Sequence, residues 1–142
     1  MASVRTAYDQ NVFGRTLLAD ATSIERWRWK VCEVVRDWGG SAGAMDLVRL
    51  GVSELLSNVV KHVPDPRCYV RVLLIGGEVT VQVFDRSRKL PVVGEVPDWD
   101  AESGRGLRML REMASGFGCE HTRHGDGKIV WFSCDLVGAF GE

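Results

Sequence analysis

The chain has 142 residues, with 18 Lys or Arg against 19 Asp or Glu and a formal net charge of −1. That length suits one compact domain over residues 1–142, and 45% hydrophobic with 26% charged residues is the balance of a soluble globular protein, not a disordered one. The near-neutral charge speaks against a general nucleic-acid or membrane-surface binder, since both show a basic excess.

Taken in order, the opening "MASVRTAYDQNVFGRT" has no apolar core of signal-peptide length. No later run is long enough to span a bilayer, so a cytoplasmic location is expected. A short extended segment is predicted around Val12–Leu18. "DATSIERWRWKVCEVVRDWGG" then reads as a first helix, with Thr22 or Ser23 to cap it and Gly39-Gly40 to stop it. Trp27, Val31, Val34 and Trp38 recur at helical spacing and are its expected buried stripe. A second helix is predicted from about Gly43 to His62, ended by "VPDP".

"CYVRVLLIGG" and "EVTVQVFD" follow as a hairpin turned at Gly76-Gly77. Residues 86–103 have two prolines and no period, and a loop of that length inside a domain tends to be functional, often a lid. "GRGLRMLREMASGFG" looks like a glycine-opened third helix, and "CEHTRHGDGKIVWFSCDL" like a closing hairpin. Helices and strands cluster more than they alternate. The expected fold class is therefore α+β: a two-layer sandwich with one mixed sheet and about three helices on one face. Cys32, Cys68, Cys119 and Cys134 are scattered without a C-x-x-C pair, which favours reduced thiols over a metal cage or a disulfide framework.

The second helix carries "SELLSNVVKH". At about 100° per residue, Val48, Val52, Leu55 and Val59 share one face. Glu54, Asn58 and His62 form a row beside it, each four residues from the last. Two readings stand. The row is a solvated edge or a set of polar groups bonded to nearby backbone, or it is a site for a hard cation and a reacting proton, with the Asn carbonyl as Mg²⁺ ligand and the Glu as base. Asp85, closing a valine-rich strand before the long loop, can accept a hydrogen bond from an exocyclic amine such as that of adenine. Gly104-Arg105-Gly106-Leu107 at a helix start can bring backbone N–H groups to phosphates. Each signal is weak alone. Their order and spacing are much more specific.

With those residues in place the sequence resembles the GHKL superfamily of ATPases, and within it the anti-sigma-factor serine kinases of the actinobacterial single-domain type. "VSELLSNVVKH" is similar to the N box, "VQVFDRS" followed by "LP" to the first glycine-box region, "ESGRGLRML" to the second, and "DGKIVWF" to the last, strand-borne box. The resemblance implies a Bergerat-type ATP-binding fold with ATP and Mg²⁺ as cofactors. It implies Asn58 as the Mg²⁺ ligand, Glu54 as the general base toward a serine hydroxyl, and Asp85 as the partner of the adenine amine. Gly104, Arg105, Gly106 and Leu107 would cradle the phosphates, His62 would help line the pocket, and residues 86–103 would be the ATP lid. The implied partners are a sigma factor and a small anti-sigma antagonist, with a homodimer as a further expectation.

The pattern also departs from the family. Asp85 is followed by Arg86-Ser87-Arg88-Lys89 where the first box usually carries glycines, so the backbone approaches a base less freely. Lys128 and Ile129 stand where related proteins often have threonine. Lys128 is expected as a solvated strand-end lysine, with a phosphate contact as the other reading. Cys119 and His121 share a strand face while His124 points away and Asp126 adds no evident fourth ligand, so no metal site is expected there. The expected function is an ATP-binding anti-sigma regulator with serine/threonine kinase activity toward an antagonist. The alternative is a non-catalytic, partner-binding regulator with a degenerate nucleotide pocket. A detached histidine-kinase catalytic domain ranks below both.

Overall fold

The computed structural model describes residues 11–91 and 102–138. Strand formation follows the period-two pattern. In β2 (Arg67–Ile75) and β3 (Glu78–Asp85), Cys68, Val70 and Val72 and then Val79, Val81 and Val83 are buried in alternation. Gly76 and Gly77 join these strands with φ of +59° and +79°. Two left-handed residues in a row suit the hairpin turn whose twist matches the flanking strands.

β1 (Val12–Leu18) pairs with β2, β5 (Lys128–Asp135) with β3, and β4 (Gly116–His121) with β5, giving the order β1-β2-β3-β5-β4. Each neighbouring pair is antiparallel, so the sheet is not mixed as expected. The reason lies in the last hairpin. β3 and β4 run the same way and are linked through a helix, the arrangement that suggests a parallel pair. β5 turns back between them and separates the two.

Three helices are described: α1 (Ile24–Asp37), α2 (Ala42–His62) and α3 (Glu102–Met113). α2 packs on β3 and β5, and both α1 and α3 pack against α2. Burial runs nearly all round α2, from Ala44 through Val48 and Leu55 to Val59. The Ser41 hydroxyl caps it, accepting the Ala44 N–H at 3.1 Å. The buried stripe of α1 is turned slightly from the expected one. Val31, Cys32 and Val35 are buried, while Trp27, Val34 and Trp38 are only partly covered. Ser23 makes no side-chain cap; instead its N–H donates to Asp20 Oδ1 at 2.8 Å, and Asp20 shapes the turn into α1.

α3 begins at Glu102, two residues before the expected glycine start, and ends at Met113. The "GFG" that was expected to finish it opens β4 instead. A Cβ at Gly118 would meet the indole of Trp131 on the neighbouring strand at 2.6 Å, so the bare glycine lets that ring lie across β4. All four cysteines are free, with Cys32, Cys68 and Cys134 buried. Burial pushes the Cys68 thiol up to about 12 and the Cys134 thiol up to about 11. No described helix is long and apolar enough to cross a membrane.

Candidate functional site

Glu54 and Asn58 sit one turn apart on α2, on the side that meets α3. Asn58 is buried at 3% exposure and Glu54 is half-buried. No hydrogen bond ties the Asn58 carboxamide or the Glu54 carboxylate to another described residue. At 3% exposure Asn58 does not lie on a solvated edge. Glu54 packs against Gly106 of α3 so closely that a Cβ on Gly106 would fall on the carboxylate oxygens. The second glycine of "GRG" thus has a contact reason: it lets α3 lie on the Glu54 head group. Burial raises the Glu54 pKa above the ordinary 4.5, with Lys61 drawing it partly back.

The remaining sequence candidates fall in several places. Gly104 lies in the first turn of α3 and Arg105 is exposed beside it. The Leu107 side chain is 2% exposed and belongs to the hydrophobic core, so it anchors α3 and does not reach toward a ligand. His62 ends α2 at the surface. Of the expected lid, residues 92–101 lie outside the described residues. Residues 86–91 form neither helix nor strand. They are tied down by Lys89 N–H donating to the Ser87 hydroxyl at 3.1 Å and by the Arg88 carbonyl, 2.7 Å from a ring nitrogen of His121.

Asp85, the last residue of β3, stands opposite Lys128, the first residue of β5. The Lys128 ammonium lies 2.9 Å from Oδ1 and 2.8 Å from Oδ2, and both side chains are 1% exposed. Ser87 N–H also donates to Oδ1, at 2.8 Å. Oδ2 faces Nζ off the hydrogen-bond direction and has no other partner among the described residues. Lys128 is therefore not the solvated strand-end lysine that base rates suggest. Its phase puts it on the same face as Val130, Phe132 and Cys134, and the carboxylate across the register makes burial of its charge tolerable. This is the residue sequence reasoning missed. The signal was the period of β5 itself.

The donor chemistry of α2 fits a hard cation. One amide oxygen from Asn58, without a hydrogen-bond partner among the described residues, with a carboxylate a turn away, is the sparse protein contribution Mg²⁺ takes when phosphate oxygens and waters complete its shell. Asn58 would hold the ion. Two concavities bounded by described residues, of about 210 and 510 Å³, lie elsewhere, along β1 and its neighbours, and neither is lined by Glu54, Asn58 or Asp85.

Comparison with known proteins gives the family and the fold. Residues 17–134 match the family model described as a histidine kinase-like ATPase domain, so the chain belongs to that family of ATP-binding domains. Over 97 residues it is 35% identical to "Blue-light-activated histidine kinase 2" of Erythrobacter litoralis (strain HTCC2594), covering 63% of this chain and 26% of that protein. Among solved structures, the RsbU and RsbW domains of Rv1364c from Mycobacterium tuberculosis share the fold, with a TM-score of 0.67 at 21% identity over 88% of this chain and 32% of that one. The chain thus spans about a quarter to a third of the length of these relatives.

Proposed function

We propose that this chain is an ATP- and Mg²⁺-dependent regulator of the anti-sigma type. In this reading it phosphorylates a serine or threonine of a small antagonist protein and binds a sigma factor. The observation that carries the reading is the pair Glu54 and Asn58, a turn apart on α2, half-buried and buried, without a hydrogen-bond partner among the described residues, with Glu54 pressed against Gly106 of α3. Asn58 would hold Mg²⁺, which neutralises charge on the transferring phosphoryl group. The first turns of α3, at Gly104, Arg105 and Gly106, would offer backbone N–H groups and a helix N-terminus to the phosphates. Glu54 would take the proton of the acceptor hydroxyl as its oxygen bonds to the γ-phosphorus and ADP leaves. A base of raised pKa suits that role, because a stronger base drives the transfer further. Asp85 would face the base edge of the nucleotide. The likeness to the Rv1364c domains supports the fold on which such a site is built; the partner proteins are our inference.

One observation favours the second reading, a partner-binding regulator with a weakened nucleotide pocket: Asp85 is already paired with Lys128. Calorimetric titration with ATP, with and without Mg²⁺, separates the two. The kinase reading expects Mg²⁺-dependent binding that Asn58→Ala abolishes, and phosphoryl transfer that Glu54→Ala removes while binding persists. Absence of binding in a folded wild-type chain overturns it.

A further inference from the structure

The pair of Asp85 and Lys128 bears directly on which nucleobase the site accepts. A bare carboxylate at the end of β3 would accept hydrogen bonds only, and would select a base edge that donates, such as the 6-amino group of adenine. Here that carboxylate is in contact with an ammonium. Nζ lies 2.9 Å from Oδ1 and 2.8 Å from Oδ2, while Ser87 N–H takes another lone pair of Oδ1 at 2.8 Å. Its negative charge is neutralised at contact distance, and the place where an incoming amine would lie is held by a cation. An exocyclic amine approaching Oδ2 meets a donor facing a donor. A carbonyl approaching the same pair meets an ammonium that carries three N–H groups.

We propose that Lys128 is a specificity-determining residue of the nucleotide site: by standing on Asp85 in place of an exocyclic amine, it removes the preference for a 6-amino purine over a 6-carbonyl purine. This rests on the nucleotide-site reading above and refines it. Several observations converge. The two residues are register partners across β3 and β5, both side chains are 1% exposed, and Asp85 Oδ2 has no other partner among the described residues. The chain thus carries its own counter-ion at the position where a nucleobase would otherwise supply a donor.

ATP and inosine triphosphate test this directly, because at the six-position one carries an amine and the other a carbonyl. A site whose bare carboxylate reads the amine favours ATP by roughly tenfold or more, the scale of one well-made polar contact. The wild-type chain, titrated with each nucleotide in Mg²⁺, is expected to favour ATP by no more than about threefold, or to favour inosine triphosphate. In Lys128→Thr, which frees Asp85, a preference for ATP of about tenfold or more should appear. The wild-type ratio needs no variant, so the proposal stays open to refutation even if Lys128→Thr does not fold. A wild-type preference for ATP above about threefold overturns it and leaves the proposed function standing, as does an unchanged ratio in a folded Lys128→Thr chain. If neither folded protein binds either nucleotide, the nucleotide-site reading itself fails, and this refinement with it.

Discussion

Lys128→Met removes the ammonium from Asp85 while keeping most of the apolar stem. In the wild type both side chains are 1% exposed and Nζ contacts both carboxylate oxygens, so the variant leaves a buried carboxylate with one remaining donor among the described residues, the Ser87 N–H. Removing one partner of a buried pair destabilises by about 3–5 kcal/mol. The surviving Ser87 bond argues for the lower end, about 3 kcal/mol, against a total stability of about 5–15 kcal/mol. At this chain length that corresponds to a fall in melting temperature of about 6–12 °C. Urea unfolding should show the loss as a lower midpoint with an unchanged slope. Asp85→Leu combined with Lys128→Met should recover most of it, because apolar replacement of a whole buried pair is often neutral or stabilising. Lys30→Ala is the internal control. The Lys30–Glu33 pair is 3.3 Å apart with side chains 42% and 33% exposed, and such pairs contribute at most about 1 kcal/mol. If Lys128→Met were no more destabilised than Lys30→Ala, or if the double variant were as unstable as the two single losses added, the buried-pair reasoning would be refuted.

Other perturbations test the neighbouring contacts. Gly106→Ala places a methyl on the Glu54 carboxylate, so α3 must shift or Glu54 must leave its position; phosphoryl transfer should fall by at least about tenfold, whereas Arg105→Ala should leave Glu54 where it is. Gly51→Ala would ordinarily stabilise a helix by about 0.5–1 kcal/mol, yet here its Cβ falls on the Phe132 ring, so thermal unfolding should report a net loss of about 1–3 kcal/mol. Glu54 has a folded-state pKa raised above 4.5, so the stability it contributes is fully present below 4.5 and lost as pH rises through the raised value. Urea midpoints of wild type and Glu54→Gln should therefore diverge in favour of the wild type as pH falls toward 4.5, and a difference that does not move with pH would contradict this.

Much of the fold was legible because its signals are local. Alternation in "EVTVQVFD" sets the inner face of β3, Gly76-Gly77 fixes the hairpin, and "VPDP" ends α2. Pairing between segments distant in sequence was less legible. β5 belongs beside β3, and β4 with α3 stands between them in the chain, so the clustering of helices and strands did not reveal that the order β3-β5-β4 makes every neighbour antiparallel. Glycine had a second meaning as well. In "GRG" it gives Glu54 room against α3, a contact that spacing along the chain does not reveal.

The two sets of buried polar groups show where sequence reasoning about the site holds and where it stops. Glu54 and Asn58 stood out because polar residues interrupt an apolar helix, and neither has a hydrogen-bond partner among the described residues. Asp85 and Lys128 interrupt apolar strands in the same way. Asp85 follows Val79, Val81 and Val83 in phase, and Lys128 precedes Val130, Phe132 and Cys134 in phase. Each phase alone marks its residue as inward-facing. Only the β3–β5 register shows that the two charges answer each other. An inward carboxylate without a partner would be a receptor for a donor from outside, whereas one with a lysine across the register already holds that donor. The same residue, Asp85, thus signals an amine site in the sequence and an occupied one in the fold, and the difference rests on one strand pairing.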